Sequence, residues 1–190
     1  PTYNFDLTSP NWASEGVTDE ASFINWLATR SYEVDNDLTN IVITDFNFEG
    51  DRIFCNMTAD GTIYDLSGLG LVNADKIGVV NGLTILYLGD NQIVTFNPTI
   101  PLPSSLTELY LGDNQIVTFN PTIALPSSLT ELYLNNNQMT LAGYTASEVW
   151  ANSQPAFTNP CNVYFESNID SITGTNLEAI LITKNCVITA

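Results

Sequence analysis

Leucines return along the middle of the chain at a fixed interval. The stretch LTILYLGDNQIVTFNPTIPLPSS from Leu83 recurs as LTELYLGDNQIVTFNPTIALPSS from Leu106, with only Ile85/Glu108 and Pro101/Ala124 exchanged. A third copy opens as LTELYLNNNQMT at Leu129, so the pattern L-x-x-L-x-L-x-x-N occurs three times in register at a 23-residue spacing. A period of that length marks a repeat array, in which each unit buries its apolar face against its neighbours.

Within one copy the alternation of a strand turns Leu86 and Leu88 inward with Leu83 and sends Tyr87 outward. Asn91 then turns the chain, and stacked Asn91, Asn114 and Asn137 are expected to bond backbone groups inside the bend, as buried polar groups require. The return stretch VTFNPTIPLPSS holds Pro98, Pro101 and Pro103. Three prolines exclude a regular helix and favour extended or polyproline backbone on the convex side.

Degenerate copies extend the register in both directions. Leu38, Ile41 and Ile43 fit two repeats upstream, and Gly61, Tyr64, Leu66, Leu69 and Leu71 fit one upstream. Pro160, Val163, Phe165 and Asn168 fit downstream of an insert, and Ile188 to Ala190 make a last half-copy. About seven coils result. Stacked coils expose apolar edges at both ends and need caps. Thr18-Asp19-Glu20 leads into a helical run with Phe23, Ile24, Trp26 and Leu27, the expected N-terminal cap. Thr175 precedes a second run with Leu177, Ile180, Leu181 and Lys184, followed by the strand-like CVITA, the expected C-terminal cap. The insert from Leu141 to Asn159, containing SEVWAN, predicts a short helix on the convex side. The chain thus divides into a cap over 1–37, repeats over 38–159, and a last repeat with its cap over 160–190.

The motif LPSSLTELYLGDNQI resembles the bacterial leucine-rich repeats, in which an L-P-x-x-L lead-in precedes the strand, and the resemblance covers roughly residues 38 to 190. Within that family the chain is most similar to small acidic repeat proteins of marine flavobacteria and their phages. The resemblance implies an α/β leucine-rich-repeat solenoid: right-handed, with a parallel concave β-sheet of about seven strands, a helix-poor convex side and helical caps at both ends.

Charge narrows the partners. Four basic residues (Arg30, Arg52, Lys76, Lys184) face 21 acidic ones, with no histidine and a net charge of −17. A polyanion meets repulsion and finds no basic stripe to release its counterions, so nucleic acid is excluded, and an anionic membrane surface is disfavoured for the same reason. No apolar run approaches the roughly 20 residues of a membrane span. The start PTYNFDLTSP has neither a charged n-region nor an apolar h-region and reads as a mature N-terminus. Pro1 after a removed methionine fits intracellular synthesis, and a cleaved signal peptide would look the same, so the compartment stays open between the cell interior and a virion or cell surface.

The inventory for catalysis is poor, with no G-x-S-x-G, no phosphate-binding glycine loop and no C-x-x-C. Glu108 and Glu131 are expected on adjacent strands about 5 Å apart, where an open sheet would leave them solvated rather than enclosed in a catalytic pocket. The expectation is a non-enzyme. The repeated Gly-Asp-Asn at Gly89 and Gly112 makes calcium the one cofactor to weigh, yet it supplies a single carboxylate per coil where calcium takes about six to eight oxygens.

The sharper signal is a column. Tyr87, Tyr110, Tyr133 and Tyr164 occupy the same outward position in four successive coils, flanked on one side by Ile85, Glu108, Glu131 and Asn162 and on the other by Asp90, Asp113, Asn136 and Ser167. Tyrosine suits binding surfaces through its area and polar tip, although duplication and cross-strand ring packing also account for the column. Rings edged by carboxylates fit a basic or neutral protein patch, the leading expectation, as in adhesion. They also fit a sugar chain, and a purely structural decoration protein is the third reading. Finally, the register puts Cys161 and Cys186, 25 residues apart, at the start of adjacent parallel strands, near disulfide distance. They are either a staple for the C-terminal cap or two buried thiols, and Cys55 reads as a core residue.

Overall fold

The computed structural model describes residues 2–9, 11–33, 39–74, 78–79, 82–99 and 101–190; Pro1, Leu38 and Lys76 lie outside them. In chain order the elements are β1 (Thr2–Thr8), α1 (Glu20–Glu33), β2 (Thr39–Glu49), β3 (Arg52–Asp60), β4 (Ile63–Asp65), β5 (Gly78–Val79), β6 (Ile85–Tyr87), β7 (Glu108–Tyr110), β8 (Glu131–Tyr133), α2 (Leu141–Ser153), β9 (Cys161–Tyr164), α3 (Asn176–Thr183) and β10 (Cys186–Thr189). The strands sort into a four-stranded sheet, β2-β3-β1-β5, and a six-stranded sheet, β10-β9-β8-β7-β6-β4. Every pairing in the first is antiparallel. Every pairing in the second is parallel.

The 23-residue unit explains the parallel sheet, because each copy returns its strand to the same place one step along. Leu86, Leu109 and Leu132 are successive register partners, and all three are fully buried together with Leu83, Leu106 and Leu129. On the return side Phe96 and Phe119 stack within the core at 6.2 Å and 3°. The asparagines close the bend. Asn114 donates through Nδ2 to the carbonyls of Leu88, Leu111 and Gly112 and accepts at Oδ1 from the Ile93 amide; Asn91 and Asn137 repeat the pattern. Tyr64, Leu66, Leu69 and Leu71 are buried in the degenerate coil before the strict copies, and Val163 and Phe165 in the one after.

Two expectations change. The parallel sheet has six strands among the described residues, not seven, because the stretch with Ile41 and Ile43 does not form a coil. It is the long strand β2, paired with β3 around the two-residue turn Gly50-Asp51, with Gly50 at φ 59°. A two-residue connection permits only antiparallel neighbours, whereas a parallel coil needs a dozen or more residues to return. The N-terminal region is therefore more than a helix: α1 joins an antiparallel sheet. Asp19 starts α1 by accepting from the Ser22 amide, and Phe23 and Trp26 pack with Trp12 and Phe46 at ring distances of 5.3 to 6.2 Å.

Among the described residues the return stretches of the first two strict copies carry no helix, but α2 lies against the second of them. A Cβ at Gly143 would overlap the Val117 carbonyl, Ser147 accepts from the Phe119 amide, and the Gln154 amide bonds both backbone groups of Leu125. These hydrogen bonds give α2 and its C-terminal cap a hold on three backbone groups of the proline-bearing return. Among the described residues no helix is long and apolar enough to cross a membrane.

Candidate binding surface

Strands β6, β7 and β8 share one burial pattern, half-buried, buried, half-buried. The middle leucine faces the core, and the flanking side chains line the opposite face of the sheet. Tyr87, Tyr110, Tyr133 and Tyr164 are successive register partners. Their ring centroids are 4.4, 4.2 and 4.4 Å apart, with interplanar angles of 34°, 9° and 5°. Asp65 takes the same position before Tyr87 and Thr189 takes it after Tyr164, so the column is four rings long. Stacking has a chemical consequence: the inner ring faces cover one another, leaving edges and hydroxyls for a ligand.

The carboxylate flank is less open than an isolated sheet face. Glu108 and Glu131 are half-buried and both are engaged, Glu108 accepting from the Tyr110 hydroxyl at 2.8 Å and Glu131 from Asn162 Nδ2 at 2.8 Å. This corrects the expectation of solvated acids, since the ring column shields them and offers donors. Burial, followed by the hydrogen bonds to Glu108 and Tyr133, pushes the Tyr110 phenol above its ordinary range. Tyr164 is pushed up first by its bond to Glu131 and then by burial. Both phenols stay neutral at physiological pH and act as polar tips rather than charges.

On the other flank Asp90, Asp113, Asn136 and Ser167 all adopt left-handed backbone, with φ of 54°, 56°, 51° and 59°. That conformation is tolerated best by glycine, asparagine and aspartate, which accounts for three of the four identities; the serine has no such account. All four are exposed. Between this row and the tyrosines runs a column the sequence reading missed: Gly89, Gly112, Asn135 and Glu166. A Cβ on Gly112 would lie 2.8 Å from the Asn135 amide oxygen, so the Asn135 side chain packs over that glycine, and a groove of about 220 Å³ lies between Tyr87, Tyr110, Asp90 and Asp113. A second hollow of about 300 Å³, lined by Glu166, Ser167 and Tyr164, shares Tyr133 and Asn135 with the first. The signal was present in the repeat, a glycine two residues past each tyrosine at the same place in two successive copies. Among the described residues no three histidine, cysteine or acidic side chains gather as a metal site.

Cys161 and Cys186 are register partners at the start of β9 and β10. Both are buried free thiols, as is Cys55 on β3. Burial, aided by the charge of Glu20, pushes the Cys55 thiol up to about 12.

No curated protein matches the chain. Residues 81–139 match the family model for leucine rich repeat. That segment spans β6, β7 and β8 with the coils that join them, and over it the chain is similar to leucine-rich repeats.

Proposed function

We propose that the chain is a non-enzymatic binding module that holds a protein partner, as in adhesion, on the tyrosine-bearing face of its parallel sheet. Leucine-rich-repeat domains commonly mediate protein–protein interaction and are typically non-enzymatic. In this reading the coils wind as a right-handed solenoid with that face concave. The antiparallel sheet with α1 closes one end, and α3 with β10 closes the other. Tyr87, Tyr110, Tyr133 and Tyr164 form the contact ridge, and Glu108, Glu131, Asp90 and Asp113 set its charge.

The observation that carries this reading is the stacked column itself. Four rings held 4.2 to 4.4 Å apart are already ordered, so binding through them costs little side-chain entropy. A net charge of −17 favours a basic or neutral partner. The stacking also weighs against a sugar chain, which would need the ring faces that the neighbouring tyrosines cover. Panning a random peptide display library on the whole protein, with a glycan array in parallel, tests the proposal. The expected result is enrichment of peptides, basic ones foremost, that no longer bind when Tyr110 and Tyr133 are both alanine. Glycan binding without peptide enrichment would overturn it.

A further inference from the structure

The binding face leaves one reactive pair unused. Cys161 and Cys186 stand directly beside each other on neighbouring parallel strands, where the lateral spacing of about 4.8 Å falls within the Cα separations of about 4.4–6.8 Å that a disulfide spans. We propose that these two cysteines are a redox site at which a small-molecule disulfide of the glutathione class forms an intrachain bond, stapling β10 to the rest of the sheet.

The position of the pair gives the bond a consequence. β10 is the last strand of the six-stranded sheet, with no strand on its outer side among the described residues. Edge strands fray first, because half of their backbone groups lack partners in the sheet. The bond would close a loop of 25 residues that contains α3. It would also tether the strand that carries Tyr164, the last ring of the column, to its outer neighbour.

The order of events follows from the surroundings. Cys186 is 7% exposed and Cys161 is sealed, so the oxidant meets Cys186 first. Interaction with each other pushes the Cys186 thiol below its ordinary range and Cys161 above it, and burial and the charges of Cys186 and Glu131 push Cys161 further up. The Cys186 thiolate attacks one sulfur of glutathione disulfide. That S–S bond breaks, one glutathione thiolate leaves and takes up a proton, and a mixed disulfide remains on Cys186. Cys161 then loses its proton to solvent and attacks the Cys186 sulfur, expelling the second glutathione. Two protein thiols are oxidised and one disulfide is reduced to two thiols. Cys55 takes no part, since it is fully buried on the other sheet and its thiol is held near 12.

The test uses the whole chain incubated with glutathione disulfide at pH 8, alkylated and mapped by mass spectrometry. Free thiols should fall from three to one, with a Cys161–Cys186 linked peptide and Cys55 alkylated only after unfolding. Amide exchange over Val187–Thr189 should slow by about tenfold in the oxidised form, because local opening then requires more of the sheet to move. C161S should trap the Cys186–glutathione adduct. Three free thiols at equilibrium, linkage through Cys55, an adduct that persists on Cys186 of the unaltered chain, or a bond that leaves exchange in β10 unchanged would each overturn the proposal.

Discussion

Tyr110 and Tyr133 stack ring on ring, 4.2 Å between centroids and 9° from parallel, while the Tyr110 hydroxyl donates to Glu108 within its own strand. One contact runs along the sheet and the other along the strand, so the Tyr110 ring is fixed in two directions. Such a ridge is a stiff surface feature, and its stiffness is what a partner would use.

Replacing Tyr110 and Tyr133 together by alanine should leave the fold intact, because neither side chain enters the core. Affinity for a peptide selected on the unaltered protein should fall by at least about 2 kcal/mol, the scale of interface hot spots. Calorimetric titration of that peptide, with circular dichroism as the check on folding, measures both effects. Unchanged affinity in the folded double variant would move the contact surface elsewhere.

Leu109→Ala should cost about 2 to 5 kcal/mol of stability, as a large-to-small change at a fully buried position. Urea unfolding followed by tryptophan fluorescence gives the value. A loss below about 0.5 kcal/mol would mean that Leu109 does not face the core.

Asn114→Ala removes one acceptor and two donors that serve four backbone groups, the Ile93 amide and the carbonyls of Leu88, Leu111 and Gly112. Buried groups left unpaired cost about 1–3 kcal/mol each before relaxation. A total loss of at least about 2 kcal/mol is expected in the same assay, well above that of an exposed site such as Gln115→Ala.

At φ 56° Asp113 holds a backbone shape that a β-branched residue resists. Asp113→Val should therefore be about 1–2 kcal/mol less stable than Asp113→Gly. Thermal unfolding of the two variants side by side reads the difference, and equal midpoints would refute the strain argument.

Burial, with a smaller contribution from the charge of Asp170, pushes the Tyr144 phenol up to about 12, and its hydroxyl donates to the Asp170 carbonyl at 2.8 Å. The folded pKa exceeds the unfolded value of about 10. The neutral phenol thus contributes stability that is fully present below pH 10 and is lost as pH rises toward 12. Unfolding midpoints measured across that window should fall, and Tyr144→Phe should flatten the slope.

Two periods written in the chain, 23 residues between coils and two residues within a strand, were enough to place the buried leucines, the asparagine ladder and the tyrosine column. Near-identical copies must repeat one local geometry, so inward and outward positions can be read directly from them. The same register brought Cys161 and Cys186 to matching strand positions. The N-terminal region has no copy to be compared with, and there the pattern of Ile41 and Ile43 passed for a further coil. What decides that segment is the two-residue turn at Gly50-Asp51 and the pairing of β3 with β1, 44 or more residues away in sequence at every matched position. Three further features depend on neighbours contributed by other coils: the shielding of Glu108 and Glu131, the packing of Asn135 over Gly112, and the seating of α2 on Val117. Local alternation tells which way a side chain points; only the assembled sheet determines what it meets there.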